Sequence, residues 1–308
     1  MTLPDKPPVA ILDFGTNTTR LLITDGDAVE VRAHRVTGIG RGLGRTGRLN
    51  ETGVERVLEA VTEFNSLILK NGVKKIRAVA TSAARDAENR DDLFKPVSEI
   101  LSHELELLSG EEEARYGFLG ATKGLPPDGG PFLVLDIGGG STEFAYGTVS
   151  PEMYRSVDMG SVRFTEQFLL SDPPKPEELS GAIQVARLHL DDIDREQTLM
   201  GRANSLVGVA GTITTIAAIE IGLEKYDPLV IDRFVLTRKA AEDVFRTLAT
   251  EALEQRKYNP GLEPARADVI VAGCCILVAV MRHWEIEECL VRESDLLDGL
   301  AAELLEHG

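Results

Sequence analysis

The stretch Leu135–Glu143, LDIGGGSTE, decides the fold of this chain. Three consecutive glycines stand between an aspartate that ends an apolar run and a Ser-Thr-Glu triplet. Glycine costs backbone entropy on folding and provides no side chain to pack. We therefore expect a turn that needs bare backbone after a buried strand. Such a turn points successive N–H groups at one spot and can cradle phosphate oxygens.

A shorter version of this motif, LDFGTNT at 12–18, occurs near the start of the chain. Both stretches share Leu-Asp, a glycine two places later and a small hydroxyl residue. Strands are mixed with helical patterns of ten or more residues, which indicates an α/β architecture. We infer that the chain contains the same fold twice. We place a first domain at 1–125 and a second at 126–308, with a closing helix free to pack back on the first.

Hydrophobic spacing predicts the elements of each half. The first half is expected to begin with a meander of three strands over 8–15, 21–24 and 28–31. It continues with helix 51–71, strand 74–82, helical stretches on either side of Pro96, strand 104–109 and helix 111–124. The second half repeats the strand-turn-strand motif. It continues with helix 177–193, strand 205–211, helices 212–220 and 238–248, a buried helix from Ala265, strand 288–293 and a closing helix over 296–307.

Each glycine turn begins with an aspartate at the end of its strand, Asp13 or Asp136. A carboxylate repels phosphate, but it can hold a hydrated Mg²⁺ that also contacts that phosphate. Two such turns facing each other would hold a polyphosphate from both sides, with hydroxyls such as Thr16, Thr18 and Ser141 adding donors. A single glycine turn is usually an ordinary tight turn, so this prediction depends on the pair. The chain has neither a Rossmann fingerprint nor a P-loop motif, which excludes both of those nucleotide-binding classes.

Two further motifs lie at the starts of predicted helices. VGVAGTITT would place Gly211 and Thr212 at a helix N-terminus near the same cleft, although packing explains this element equally well. SGEEEAR puts three glutamates in one helical turn. Consecutive residues of a helix point about 100° apart, so only one or two of them can face a cleft. One is a candidate general base, and a solvated helix end is the alternative.

ATSAARDAEN, at 80–89, follows a predicted strand and carries Thr81, Ser82 and Arg85. A guanidinium can bind a terminal phosphate through two parallel hydrogen bonds. The alternative is a surface ion pair of Arg85 with Asp86 or Glu88.

Composition limits the partners and the compartment. The net charge is −17, from 33 basic and 50 acidic residues, so we expect no binding to nucleic acid or anionic membranes. The loop 38–50 contains three arginines, Arg41, Arg45 and Arg48. It either binds a phosphate chain or is a solvated turn. The longest apolar run, 269–281, is too short to span a bilayer, and the start MTLPDKPPVA lacks a secretory signal. We expect a cytoplasmic protein whose three cysteines are packed thiols.

The chain resembles the exopolyphosphatase and guanosine pentaphosphate phosphohydrolase (Ppx/GppA) family in motifs that run in family order across almost its whole length. They are DFGTNTTR (13–20), ATSAARDAEN (80–89), SGEEEAR (109–115), DIGGGSTE (136–143) and GTITT (211–215). The family belongs to the actin and sugar kinase superfamily. The resemblance therefore implies two ribonuclease H-like domains around a cleft, and superfamily analogy favours a homodimer.

The resemblance also implies roles for the motif residues. It makes Glu113 the water-activating base, and it assigns Asp13, Asp136 and Glu143 to the metal ion and the attacking water. The implied reaction is hydrolysis of a terminal phosphoanhydride by an in-line water, with Mg²⁺, or Mn²⁺ in its place, and cationic donors spreading the developing charge. The phosphate-binding residues that the resemblance implies are Thr16, Asn17, Arg85, Gly138, Gly139, Gly140 and Ser141. From the motifs themselves we add Gly15, Thr18, Arg20, Thr81, Ser82, Gly211 and Thr212.

The chain departs from the usual family pattern in two respects. Thr16 and Thr18 stand where serines are usual, and both keep the hydroxyl. Longer members carry a C-terminal His-Asp pair, whereas no histidine of this chain precedes an aspartate (His34, His103, His189, His283, His307). The chain therefore resembles the short two-domain form, for which we expect short polyphosphates rather than processive digestion of long ones.

We expect an exopolyphosphatase, and three alternatives stay open. A pppGpp 5'-phosphohydrolase needs the same chemistry plus a guanosine pocket that the sequence does not locate. A kinase of the superfamily must exclude water from its site, so Glu113 would have no role as the base that activates water. A catalytically silent sensor of (p)ppGpp or polyphosphate would be favoured by loss of the acids, and all of them are present.

Overall fold

The structure is a computed structural model that describes residues 7–306. Residues 1–6, where the stretch MTLPDKPPVA begins, and 307–308, with His307, lie outside the described residues. Within 7–306, no helix is long and apolar enough to cross a membrane.

The first half of the chain forms a five-stranded sheet in the order β3-β2-β1-β4-β5. The first three strands are an antiparallel meander, as predicted, and β4 and β5 run parallel to β1. All six residues of β1 are buried, which is why this strand reads as a continuous apolar run. The strands are β1 (Val9–Phe14), β2 (Thr18–Thr24), β3 (Val29–Val36), β4 (Lys75–Ala80) and β5 (Leu105–Leu107).

The second half forms a six-stranded sheet in the order β10-β11-β9-β6-β7-β8. Five of its strands, β8-β7-β6-β9-β11, repeat the order of the first sheet, and β10 is added at one edge. The strands are β6 (Phe132–Ile137), β7 (Thr142–Gly147), β8 (Pro151–Val157), β9 (Ser205–Val209), β10 (Val235–Thr237) and β11 (Glu288–Val291). The predicted class, α/β with two ribonuclease H-like domains around a cleft, is confirmed. The boundary after residue 125 stays a prediction.

Helices cover the faces of both sheets. The helical stretches predicted on either side of Pro96 are one helix, α4, in which Leu93, Val97 and Leu101 all pack into the first core. The predicted buried helix begins at Ile270 rather than Ala265, after a short turn at Pro264. The helices of the first half are α1 (Leu43–Thr46), α2 (Glu51–Lys70), α3 (Ser82–Asp86), α4 (Asp91–Leu101) and α5 (Gly110–Thr122). Those of the second are α6 (Ser161–Phe168), α7 (Pro176–Glu196), α8 (Ala210–Ile221), α9 (Pro228–Ile231), α10 (Arg238–Thr250), α11 (Leu253–Arg256), α12 (Ile270–His283) and α13 (Leu296–Glu306).

The closing helix α13 packs on the first sheet, against β1 and β2, although it follows the second half in sequence. Helix α5 lies between α13 and the second sheet, which it contacts through Ala114 and Phe118. The two helices approach closely at glycines: a Cβ on Gly120 would lie 1.8 Å from the Asp295 carbonyl oxygen, and one on Gly299 would lie 2.1 Å from that of Tyr116. This contact connects α5, which carries Glu113, to both sheets.

Candidate active site

The two glycine turns have the same internal geometry. In the first, the Gly15 N–H donates to the Thr18 carbonyl at 3.0 Å, and in the second the Gly138 N–H donates to the Ser141 carbonyl at 3.0 Å. Each turn joins two antiparallel strands whose flanking residues face each other. Asp13 opposes Arg20 across β1 and β2. The equivalent pair across β6 and β7 is Asp136 and Glu143. The first aspartate therefore has a cation beside it, whereas the second has another acid.

The turns of the two halves touch each other, which accounts for two of the bare glycines. A Cβ added at Gly139 would lie 3.0 Å from the Cβ of Thr16, and one at Gly140 would lie 2.4 Å from the Ser82 Oγ. A side chain at either position would therefore separate the halves. The N–H groups of Gly139 and Gly140 have no backbone acceptor within residues 7–306, so they remain available to a ligand. Close contact between the halves is thus a second reason for the glycines, besides the expected approach of phosphate.

A pocket of about 80 Å³, here called the central pocket, lies between the two turns. The predicted site residues on its wall are Asp13, Gly15, Thr16, Asn17, Thr18, Arg20, Thr81, Ser82, Glu113, Asp136, Gly138, Gly139, Gly140, Ser141, Gly211 and Thr212. These come from the ends of β1, β4, β6 and β9 and from the start of α5. The carboxyl ends of neighbouring parallel strands meet at one edge of a sheet, which is where α/β folds place their ligands.

Arg85 and Glu143 lie behind this wall. The Arg85 guanidinium donates to the Glu113 Oε2 at 2.7 Å and to the Leu108 carbonyl at 3.0 Å. Glu143 accepts from the Ser156 hydroxyl at 2.6 Å, and its Oε1 lies 4.0 Å from Arg85. Neither alternative partner of Arg85, Asp86 or Glu88, has a hydrogen bond to it. The binding of Arg85 to a terminal phosphate stays a prediction, and its present contact is with the candidate base.

The three glutamates of SGEEEAR occupy three different environments. Glu111 is exposed. Glu112 forms a capping box with Ser109, whose hydroxyl accepts from the Glu112 N–H while the Glu112 carboxylate accepts from the Ser109 N–H. Glu113 alone of the three lines the central pocket. The local geometry of one helical turn therefore separates the candidate base from its neighbours.

Three buried carboxylates and the partly buried Glu113 crowd this region, and the pKa of each lies above its ordinary value. Burial is the main cause for Asp13 and Glu113, and the nearby Arg20 and Arg85 oppose it. For Asp136, burial together with the charge of Glu113 raises the pKa to about 8. The pKa of Glu143 is raised well above its usual range by burial and by repulsion from Glu113 and Asp136. Burial thus disfavours the ionised form of all four carboxyl groups, and a cation bound beside them would favour it.

The donor atoms suit a divalent cation held by few protein ligands. Asp13 Oδ1 and Glu143 Oε2 are buried and have no hydrogen-bond partner. Within the described residues, no three acidic, histidine or cysteine side chains converge into a closed metal cage. Mg²⁺ keeps several waters and is usually bound by one or two carboxylates together with substrate phosphates. One or two of the predicted ligands Asp13, Asp136 and Glu143 suit such an ion, together with waters and phosphate oxygens, and the ion would offset the charge of their carboxylates.

Sequence reasoning missed Arg266 and Ala210 on the pocket wall. Arg266 precedes α12, donates to Glu263 at 3.0 Å and reaches across to the Thr18 hydroxyl at 3.3 Å. Its segment, EPARAD, has no glycine turn or strand end that signals a site. Ala210 has a φ of 67° at the junction of β9 and α8, a conformation that costs an L-residue energy and often marks a functional turn. Ile137 and Ser161 complete the wall.

The arginine loop is partly neutralised. It contains helix α1, and Arg41 pairs with Asp268 at 2.9 Å. Arg48 lies 3.8 Å from Asp92, with both side chains exposed. The Arg45 side chain forms no ion pair or hydrogen bond with residues 7–306 and is exposed. Arg41, Arg45 and Arg48 are the arginines of this loop that could bind a phosphate chain. Of the three, Arg45 is therefore the most available to an anion.

Comparison with known proteins finds a matching family model and several similar proteins. The model of the Ppx/GppA phosphatase family matches residues 26–307. Exopolyphosphatase 2 of Mycobacterium tuberculosis is 36% identical, over 96% of this chain and 98% of its own length. A crystal structure of an exopolyphosphatase-like protein has a TM-score of 0.94 at 33% identity and covers 97% of this chain and 99% of its own. The guanosine-5'-triphosphate,3'-diphosphate pyrophosphatase of Pseudoalteromonas translucida is 29% identical, over 98% of this chain and 60% of its own length.

The predicted motifs, the duplicated sheet order and these matches agree with one another. Since the family model covers nearly the whole chain, this protein belongs to the Ppx/GppA phosphatase family.

Proposed function

We propose that this protein is an exopolyphosphatase that releases terminal orthophosphate from short inorganic polyphosphates by attack of water. The observation that carries the proposal is the convergence of Glu113 with two phosphate-suited turns at one pocket. The most similar relative described above is named an exopolyphosphatase. A phosphoanhydride bond is hydrolysed at such a site chiefly by positioning and by electrostatic stabilisation.

In this mechanism the terminal phosphate lies between the turns, where the N–H groups of Gly139 and Gly140 donate to its oxygens. Water donates a proton to the Glu113 carboxylate while its oxygen attacks phosphorus, and the bond to the bridging oxygen breaks. Arg85 holds the carboxylate through its 2.7 Å hydrogen bond, and the raised pKa of Glu113 makes it a stronger base than an exposed glutamate. Asp13, Asp136 and Glu143 would hold Mg²⁺, or Mn²⁺ in its place, which neutralises phosphate charge when bound.

The preference for short chains is supported by the charges of the neighbouring cavity. This front cavity of about 570 Å³ shares Arg20 and Arg266 with the central pocket, and Tyr226 and Glu224 lie on its wall. Its arginines are each paired with a carboxylate: Arg20 with Asp295, Arg32 with Asp298, Arg266 with Glu263 and Arg292 with Asp232. A long polyanion would therefore meet balanced charges there rather than a continuous basic track.

A pppGpp 5'-phosphohydrolase is the second candidate, because the front cavity has room for a nucleoside beside the central pocket. One relative is named for that substrate. The two candidates share the terminal reaction and differ only in what occupies the front cavity.

Phosphate release from tri- or tetrapolyphosphate, long polyphosphate, pppGpp and ATP, each with Mg²⁺, separates these functions. We expect release from the short polyphosphate to exceed the others. Preference for pppGpp would establish the second candidate. Binding without release from any of the four would instead favour the silent sensor.

Glu113→Gln tests the assigned base, with Glu111→Gln in the same helical turn as the matched control. Loss of a general base lowers kcat by about 10²- to 10⁴-fold, and we expect this with polyphosphate binding retained. Glu111→Gln should behave as the wild type, since that side chain is exposed. Equal loss of turnover and binding in Glu113→Gln would reassign the residue to binding or folding.

Assembly and compartment are part of the proposal. The superfamily resemblance supports a homodimer, and the acidic charge of −17 supports a protein that binds no nucleic acid. The three free, buried cysteines support a cytoplasmic protein. Sedimentation of the purified protein tests the dimer.

A further inference from the structure

The central pocket lies between two other cavities that share no wall residue with each other. The front cavity shares Arg20 and Arg266 with it. A second neighbour, here called the back cavity, has a volume of about 190 Å³ and shares Thr16, Ser82 and Gly140 with it. The back cavity exceeds by far the ~15 Å³ that one water needs.

The wall between the central pocket and the back cavity is one residue thick. Thr16 and Ser82 come from the first half and Gly140 from the second. A Cβ added at Gly140 would lie 2.7 Å from the Thr16 Oγ1 and 2.4 Å from the Ser82 Oγ. The Thr16 Oγ1 is buried and has no hydrogen-bond partner. This wall is therefore polar, and it has an unused hydrogen-bonding group where the two cavities meet.

The outer end of the back cavity lies at the surface. Gly44, Arg45 and Gln167 line it and are exposed. Arg45 is the arginine of the 41–48 loop that forms no ion pair with the described residues, as shown above. Glu166 also lines this cavity, and its carboxylate accepts a hydrogen bond from the Gly42 N–H at 2.7 Å. Arg45, which has no ion-pair partner within residues 7–306, is therefore the cation at the mouth that is free to attract anions and raise their local concentration.

Exo-hydrolysis creates a need for a second opening. The terminal phosphate is the innermost unit of a bound chain, so the cleaved orthophosphate lies deeper than the shortened chain that still fills the front cavity. It must then wait for the chain to leave or depart on another side. We propose that the back cavity is the exit for orthophosphate and that Arg45 binds the ion at its mouth. This inference rests on the proposed exopolyphosphatase function.

Contacts between the halves hold the exit closed in this structure. Arg163 of α6 donates to the Gly140 carbonyl at 2.7 Å and to the Asp86 carboxylate at 2.5 Å. The Gly42 N–H donates to Glu166 at 2.7 Å. Since Thr16 and Ser82 belong to one half and Gly140 to the other, a small separation of the halves at these contacts opens the wall.

Gly44→Trp is the obstructing variant. Gly44 lies in α1, and an added Cβ there meets no atom within 4 Å, so the larger side chain does not strain the fold. Gly181→Trp in α7, where an added Cβ also meets no atom within 4 Å, is the matched control. Arg45→Ala removes the charge at the mouth, and Arg187→Ala, at an exposed position of α7, is its control. Thermal unfolding of every variant checks that it folds.

Cleavage and release are measured separately, with a short polyphosphate in a single turnover. Rapid acid quench reports cleavage, and a fluorescent phosphate sensor reports free orthophosphate. We expect Gly44→Trp to cleave within about twofold of the wild-type rate and to release phosphate about tenfold more slowly, because product release is a separable step. Arg45→Ala should slow release in the same sense, and both controls should match the wild type.

Release that keeps pace with cleavage in both Gly44→Trp and Arg45→Ala would overturn the exit. An equal fall in cleavage and release would also overturn it, because the cavity would then belong to the reacting site. Absence of any cleavage by the wild type is a different result. It would overturn the proposed function, and the exit with it.

Discussion

Arg20 and Asp295 form a partly buried ion pair that joins the second strand of the chain to the residue just before its last helix. Arg20 also donates to Asp13 at 2.8 Å, so one guanidinium lies between two carboxylates from opposite ends of the chain. Both acids raise the pKa of Arg20 and keep it charged. The closing helix thereby positions a residue of the central pocket.

We predict that Asp295→Asn lowers kcat/KM for polyphosphate by about tenfold, equivalent to about 1.4 kcal/mol. Without the second carboxylate, Arg20 pairs more fully with Asp13, which is then less available to Mg²⁺. The concentration of Mg²⁺ needed for half-maximal activity should therefore rise. Glu303→Gln is the matched control, because it removes an ion pair of α13, with Arg77 at 2.7 Å, away from the pocket. An unchanged Mg²⁺ requirement in Asp295→Asn would show that the pair serves only stability.

Gly140→Ala tests whether the halves must touch at the glycine turn. Its Cβ would lie 2.7 Å from the Thr16 Oγ1 of the first turn and 2.4 Å from the Ser82 Oγ, so these groups must move, and misplacement by about 1 Å can cost about 10²-fold in rate. We expect kcat/KM to fall by that order while the unfolding temperature changes little. Gly117→Ala, where an added Cβ meets no atom within 4 Å, should keep full activity. Wild-type activity in Gly140→Ala would show that the turns do not need this contact.

Glu143→Gln is predicted to stabilise the metal-free protein and to weaken its response to Mg²⁺. The Glu143 Oε2 is buried without a partner, and Glu113 and Asp136 repel the charge. Gln has almost the shape of Glu143 but no charge, so the substitution removes this repulsion and the cost of burying an ionised carboxylate. In the wild type, Mg²⁺ without substrate should raise the unfolding temperature, since a ligand that binds only the folded state stabilises it. Scanning calorimetry with EDTA and with Mg²⁺ measures both effects, and a lower stability of Glu143→Gln in EDTA would contradict the prediction.

The glycine turns were predictable because their chemistry is local. Asp13 and Asp136 each end an apolar strand, and the carboxyl ends of parallel strands converge whatever the rest of the chain does. The duplication was visible for the same reason. Glu113 needed the family resemblance, since three consecutive glutamates are equivalent by composition, and only the capping box of Glu112 separates them in space.

Arg266 and Asp295 were not predictable, because their neighbours in sequence carry no signal and their partners are far away. Asp295 pairs with a residue 275 positions earlier.

Strand β8 was not predicted from the sequence, because its stretch PEMYRSV is half-exposed and lacks an apolar run. Contacts between the two halves depend on how the sheets assemble, and local periodicity does not contain that information.

The three cysteines provide a last prediction, on the integrity of the second core. Cys274 and Cys275 lie in α12 and Cys289 in β11, and all three are fully buried. Burial raises the pKa of Cys274 and of Cys289 to about 12, and that of Cys275 is raised too. Since the thiolate is the reactive form, we expect no reaction with Ellman's reagent at pH 8 in the native state and three thiols per chain in guanidinium chloride. Ser66→Cys, at an exposed position of α2, is the positive control and should add one rapidly reacting thiol. Rapid native labelling of the wild type would mean that α12 is accessible and that the second core opens far more readily than its packing implies.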